Sequence, residues 1–179
     1  MACVYLGLGA NLGDRQANIE KTLALLNENN VKVCKVSPFY ETEPWGLTEQ
    51  PPFLNAACCA ETRYAPHVLL DLLKCLEKRM GRVETGRYGP RPIDIDILMY
   101  DDMCFDTPKL TVPHPGMTSR ATVLVPLADI APQKRHPRTG LTIAEHLEQL
   151  RPVSGIAPYP PGLHVKEGNT ATYTDRSEQ

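Results

Sequence analysis

This 179-residue sequence has few strong biases, and each feature it lacks removes a class of protein. No apolar run approaches the roughly 20 residues that a membrane-crossing helix needs. Met1 to Asn11 has neither the basic start nor the apolar stretch of a signal peptide, so a cytoplasmic location is expected. An excess of one charge is also missing: 19 Lys and Arg stand against 21 Asp and Glu, a net charge of -2. That balance argues against undirected binding to nucleic acid or an anionic membrane. Any anionic ligand must be held by a local basic cluster. The six cysteines form no CxxC pair and no histidine joins them at zinc spacing, so they read as reduced thiols, mostly in the core. No GxxxxGK[ST] motif occurs, which excludes a P-loop. Gly7, Gly9 and Gly13 miss the dinucleotide-binding spacing and read as a tight turn from strand to helix.

What is present is enough for one ordinary domain. Hydrophobic residues make up 42% and charged residues 22% of the chain. Residues 1–150 read as the domain and 151–179, rich in Pro, Gly and polar residues, as a tail that is mobile or ordered by contact. Ala2 to Gly9 is an apolar strand. Ile19, Leu23 and Leu26 repeat at helical spacing, and Val31 to Ser37 is a second strand closed by Pro38. Residues 41–52 hold three prolines and no period, which predicts a functional loop. Phe53 to Thr62 alternates as a third strand, with Leu54, Ala56, Cys58 and Ala60 on one side. Pro66 to Met80 predicts a helix stopped by Gly81, and Pro92 to Tyr100 a fourth strand. Two helical segments follow, one ending near Ile130 and one spanning Thr142 to Leu150. The order β, α, β, β, α, β predicts an α+β ferredoxin-like sandwich, an antiparallel sheet with helices packed on one face and C-terminal additions.

Chemistry concentrates in the triplet Asp94-Ile95-Asp96. Strand alternation puts both carboxylates on one face, with Ile93, Ile95 and Ile97 on the core side. Their Cα atoms then lie about 7 Å apart, so the carboxylates can converge on one Mg²⁺ or bridge two. An isolated DxD is most often a solvent-facing pair of acids. Here Arg82, Arg87 and Arg91 precede it, with Tyr88 and Gly89 among them, and Lys109, His114 and Arg120 follow. Basic groups on both sides of a diacid suit a polyphosphate. Separately, Phe53 and Asn55 share a strand face and offer a ring for stacking and an amide with both donor and acceptor, a pairing suited to a flat heterocycle. Trp45, the only tryptophan, sits in the proline-rich loop. The plain readings of these three are core ring, strand-edge amide and hydrophobic plug.

Together these residues resemble the 6-hydroxymethyl-7,8-dihydropterin pyrophosphokinase family of folate biosynthesis. The likeness covers about residues 2 to 150 and rests on LGLGANLGDR, SPFYETEPWG leading to PPFLNAA, GRYGPRPIDIDIL and LTVPHPGMTSRATVLVPLADIAP. The resemblance implies attack of the pterin hydroxymethyl oxygen on the β-phosphorus of ATP, with release of AMP. It implies that Asp94 and Asp96 bind two Mg²⁺ ions and that Arg82 and Arg91 contact the phosphates or position a closing loop. Glu77, Thr111, His114 and Arg120 match positions around the nucleotide, as does Ile97 through its backbone; Arg87, Tyr88 and Lys109 stand at neighbouring nucleotide positions. Thr42, Trp45, Phe53 and Asn55 match the pterin pocket. The family's mobile loop corresponds to Thr85 to Gly89. Glu84, Tyr88, Lys109, Pro115 and Thr122 depart from the family pattern, where arginine, tryptophan, arginine, tyrosine and a second stacking phenylalanine are usual. ATP and the hydroxymethyl dihydropterin are the partners expected of a monomer that binds neither nucleic acid nor membrane. Two other readings stand beside the enzyme: a single-stranded RNA-binding module, which the sheet alone would permit, and a catalytically drifted member of the family.

Overall fold

The computed structural model describes residues 1–43, 49–83 and 89–159. Strand β1 (Ala2–Ala10) leads into helix α1 (Arg15–Glu28), and the turn between them is made by Gly13, whose φ of 65° favours glycine. Asp14 caps the helix by accepting the Ala17 N–H at 3.0 Å. Gly7 and Gly9 lie inside β1, so the turn function read for them belongs to Gly13 alone.

Next come β2 (Val31–Val36), β3 (Phe39–Thr42), β4 (Phe53–Thr62), α2 (Pro66–Arg79) and β5 (Asp94–Tyr100). Gly81, at a φ of 88°, follows the end of α2 as expected. A small hairpin pairs β6 (Phe105–Asp106) with β7 (Thr111–Val112). A 3₁₀ turn (Met117–Ser119), α3 (Ala121–Ile130), α4 (Ile143–Gln149) and β8 (Ile156–Tyr159) complete the chain.

The main sheet is antiparallel and runs β5-β1-β4-β3-β8, with β2 on β4 as well. Taken as β1-α1-β2-β4-α2-β5, the chain traces the expected ferredoxin-like core. Two strands exceed that expectation. β3 begins two residues before the proline-rich loop and uses the edge of β4 beyond the point where β2 leaves it. β8 pairs outside β3, so the sheet continues past the boundary that composition placed at 150. Four residues containing a proline, Ile156–Tyr159, carry too little alternation to be read as a strand.

Helices α1 and α2 cover one face, where Ile19, Leu23, Leu26, Leu69, Leu73 and Leu76 pack on Leu6, Leu8, Leu54, Ala56, Cys58, Ile95 and Ile97. Helices α3 and α4 lie on the other, with Leu124, Leu127 and Ile143 against Ala57, Leu98 and Met99. The expectation of helices on one face therefore holds for α1 and α2 and not for the additions. Pairing slips by one residue between Tyr5 and Leu6 of β1, and the resulting bulge turns Leu98 and Met99 to the same side. Of the cysteines only Cys58 is fully buried, and burial pushes its thiol up to about 12. Cys34, Cys75 and Cys104 are exposed, contrary to the core reading. A register slip in β2 turns Cys34 outward, and Cys75 falls off the apolar stripe of α2.

Candidate active site

The face bearing α3 and α4 is open at one end, and there the strand registers bring the predicted residues together. Asp94 stands beside Gly9 and Asp96 beside Gly7; on the far side of β1, Gly9 faces Asn55 and Gly7 faces Ala57. One rung thus reads Asp94, Gly9, Asn55, Tyr40 across four strands. Gly9 has no side chain to fill the space between carboxylate and amide. A Cβ there would lie 3.1 Å from Asn55 Oδ1 and 3.8 Å from the Phe53 ring, and one on Gly7 would lie 3.3 Å from Leu98 Cδ2.

The two acids are held differently. Arg82 Nη1 donates to Asp94 Oδ1 at 2.6 Å, and Arg91 Nη1 donates to Asp94 Oδ2 at 2.8 Å. Arg82 Nη1 also donates to Glu77 Oε2 at 2.6 Å. Glu77 is only 2% exposed despite its charge. It accepts the Ile95 N–H and the Lys74 ammonium, each at 2.8 Å, so α2 is fastened to β5 between the two aspartates. Burial opposes the charge of Arg82, and the carboxylates of Asp94 and Glu77 outweigh it, holding the guanidinium above its ordinary pKa.

Asp96 sits in a drier place. Burial first and the neighbouring Asp94 second raise its pKa, while His114, Lys74 and Arg120 work in the other direction. His114 is lowered, chiefly by burial, although Asp96 pulls it up. Its backbone N–H donates to the Leu98 carbonyl at 2.9 Å, and its Nδ1 accepts the Gly116 N–H at 3.1 Å. An accepting Nδ1 assigns the proton of the neutral ring to Nε2.

On the other side of Gly9, Asn55 Nδ2 donates to the buried Thr42 Oγ1 at 2.7 Å. Thr42 pairs with Phe53 in register, and the Arg91 guanidinium carbon lies 5.9 Å from the centroid of the Phe53 ring. Tyr40 continues this face and donates its hydroxyl to Asp129 of α3 at 2.8 Å. The structure thus joins Glu77, Arg82, Arg91 and Asp94 in one bonded network. It brings His114 and Arg120 into electrostatic range of Asp96, and Thr42, Phe53 and Asn55 onto one floor. Thr111 is occupied with Asp106, its Oγ1 donating at 2.6 Å. Lys109 is exposed on the loop between β6 and β7, and the Ile97 side chain is in the core, which leaves its backbone for any ligand. Trp45, Glu84, Arg87 and Tyr88, and with them the loop expected at Thr85 to Gly89 apart from its last residue, lie outside the described residues.

Sequence reasoning missed Lys74 and Asn11. Lys74 lies one helical turn before Glu77, a spacing that could have found it. Asn11 lies between the first strand and the first helix, and no local pattern reveals its distant partners.

Two carboxylates on one strand face, one of them desolvated beside the other, offer hard oxygen donors and a negative charge that a divalent cation relieves. The donor set fits magnesium. Among the described residues no three His, Cys, Asp or Glu side chains converge, so a cation here would complete its shell from substrate oxygens and water. No helix among the described residues is long and apolar enough to cross a membrane.

Comparison with known proteins agrees with this geometry. Residues 5–132 match the family described as 7,8-dihydro-6-hydroxymethylpterin-pyrophosphokinase. An Aquifex aeolicus protein, 2-amino-4-hydroxy-6-hydroxymethyldihydropteridine pyrophosphokinase, is 40% identical over 159 residues, covering 89% of this chain and 96% of its own length. The Schizosaccharomyces pombe folic acid synthesis protein fol1 is 42% identical over 87% of this chain, which spans only 21% of that protein. A folate synthesis bifunctional protein of Arabidopsis thaliana is 46% identical over 71% of this chain, and 26% of its own length is covered. Among solved structures, Plasmodium falciparum HPPK-DHPS superposes on 83% of this chain and 42% of its own with a TM-score of 0.68, at 18% identity, which supports the fold.

Proposed function

The chain belongs to the 7,8-dihydro-6-hydroxymethylpterin-pyrophosphokinase family, and from that premise we propose that it transfers the pyrophosphoryl group of ATP to 6-hydroxymethyl-7,8-dihydropterin in folate biosynthesis. The hydroxymethyl oxygen forms a bond to the β-phosphorus, the bond from that phosphorus to the α-phosphate oxygen breaks, and AMP leaves. The observation that carries this reading is the rung Asp94, Gly9, Asn55, in which a glycine gap separates a polyphosphate-type diacid from a heterocycle-type amide.

In this reading Asn55, fixed by Thr42, bonds the edge of the pterin while Phe53 stacks on its ring, and Trp45, which lies outside the described residues, is assigned to the same pocket by its family position alone. Arg82 and Arg91 meet the phosphates; Glu77 and Asp94 hold their forks beside the site before substrate arrives. Asp94 and Asp96 hold two Mg²⁺ ions, which when bound neutralise phosphate charge and orient the transferring group. Thr111, His114, Arg120, Lys109, Arg87, Tyr88 and the Ile97 backbone receive the rest of the nucleotide. Binding sets the two reacting atoms across the Gly9 gap, and the enzyme's contribution is chiefly positioning and electrostatics. The same reading has the chain working as a cytoplasmic monomer, without nucleic acid or membrane.

The test is product identity: purified protein with MgATP and the hydroxymethyl dihydropterin should release AMP and pterin diphosphate in equal amounts. Release of ADP without AMP would contradict it. No observation favours the RNA-binding module.

A further inference from the structure

The turn from β1 to α1 touches the stems of both connections that flank the site. Asn11, 2% exposed, donates through Nδ2 to Gln50 Oε1 at 3.0 Å and to the Pro51 carbonyl at 3.2 Å, both just before the strand that carries Phe53 and Asn55. Its Oδ1 accepts the Arg91 N–H at 2.8 Å, and its backbone N–H donates to the Arg91 carbonyl at 3.1 Å. The amide orientation follows from its partners: two acceptors on one side require the NH₂, and a backbone N–H on the other requires the oxygen. One rigid, buried side chain therefore spans from the arginine on Asp94 to the stem of the proposed pterin pocket.

We propose that Asn11 is a positioning residue that couples nucleotide binding to pterin binding, a role that rests on the function proposed above. Arg91 faces both ways. Its guanidinium holds Asp94 and lies near the Phe53 ring, while its backbone is tied at both N–H and carbonyl to Asn11. A nucleotide that draws the Arg91 side chain to its phosphates acts on a backbone that Asn11 has joined to Gln50 and Pro51, and ordering one stem orders the other. Arg15, the first residue of α1, reaches the pocket side: it donates to the Pro52 carbonyl at 2.8 Å and pairs with Glu41 at 2.7 Å, and its guanidinium carbon lies 5.5 Å from the centroid of the Tyr159 ring. The Asn11 amide supplies the link to the phosphate side.

The experiment measures the dissociation constant of 6-hydroxymethyl-7,8-dihydropterin by calorimetry, with and without saturating Mg²⁺ and α,β-methylene-ATP. In the wild type the nucleotide should tighten pterin binding by about tenfold, and by linkage the pterin should tighten nucleotide binding by the same factor. Asn11→Asp keeps the acceptor for the Arg91 N–H and the side-chain size but loses the donor. It should bring that ratio to within about twofold of one, while nucleotide affinity without pterin stays within about threefold of wild type. Partial misfolding would lower binding stoichiometry and leave the ratio unchanged, which separates coupling from a merely structural role. Should Asn11→Asp not fold, Gln50→Ala cuts the same bond from its other end and should lower the ratio by at least about threefold. A wild-type ratio near one, or a variant that keeps the full wild-type ratio, would overturn the proposal. AMP release by the wild type is assayed in parallel, so failure of the coupling and failure of the proposed reaction give different results.

Discussion

On the face under α1 and α2, every position of β1, β4 and β5 near the centre carries an aliphatic side chain or a thiol, and the helices close over it completely. On the opposite face the same strands place Ala57, Leu98 and Met99 under α3 and α4 and, beside them, glycine, asparagine and aspartate. A period of two lets one strand serve both purposes: Leu8 and Leu54 point into the core while Gly9 and Asn55, one residue on, face the site. Stability therefore resides mainly on one face and chemistry on the other, and substitutions should separate the two.

The largest effect is expected at Asp96→Asn, which should lower turnover by at least about a thousandfold, measured as AMP release. The same change should raise the thermal midpoint at neutral pH without magnesium. An acid whose folded pKa lies above its unfolded value favours the fold below the unfolded pKa and loses that contribution as pH rises through the folded one. The stability difference between variant and wild type should therefore widen from acid to neutral pH. Asp94→Asn should lose activity too, but with a lower midpoint, because Asp94 bonds two arginines.

Leu54→Ala tests the other face. It should cost about 2–5 kcal/mol in urea unfolding and leave turnover of the folded enzyme unchanged. Gly9→Ala probes the boundary: the added methyl meets Asn55 Oδ1, so pterin affinity should fall about tenfold by calorimetry, worth about 1.4 kcal/mol, with nucleotide affinity preserved. The smallest effect is expected far from the site. Thr142→Ala removes the capping box that joins Thr142 and Glu145 at the start of α4, costing about 1 kcal/mol in the same unfolding assay with no change in activity.

The first face was legible in the sequence because burial imposes a period. Leu69, Leu73 and Leu76 announce α2, and Leu54 to Ala60 announce their side of β4. The diacid was legible for the same reason, since alternation alone puts Asp94 and Asp96 together. What was not legible depended on pairing between distant segments. Gly7 and Gly9 read as turn residues until register set Gly9 between Asp94 and Asn55 and Gly7 between Asp96 and Ala57. The short strand β3 exists because an edge of β4 accepts it, and β8 because the outer edge of β3 does, a property that their own residues do not carry. Glu77 follows the apolar stripe of a helix, and only the partners Arg82, Lys74 and the Ile95 N–H explain a buried charge there. Asn11 and Arg91 are far apart in sequence, and nothing local connects them.

The most direct measurement is calorimetric titration of α,β-methylene-ATP into the wild type and into Asp96→Asn, each with and without magnesium. The wild type should bind at least about a hundredfold more tightly when magnesium is present, and the variant should lose that gain. Equal, magnesium-independent binding by both proteins would mean that the two aspartates do not hold the cation and nucleotide together, and the division of labour between the faces would have to be given up.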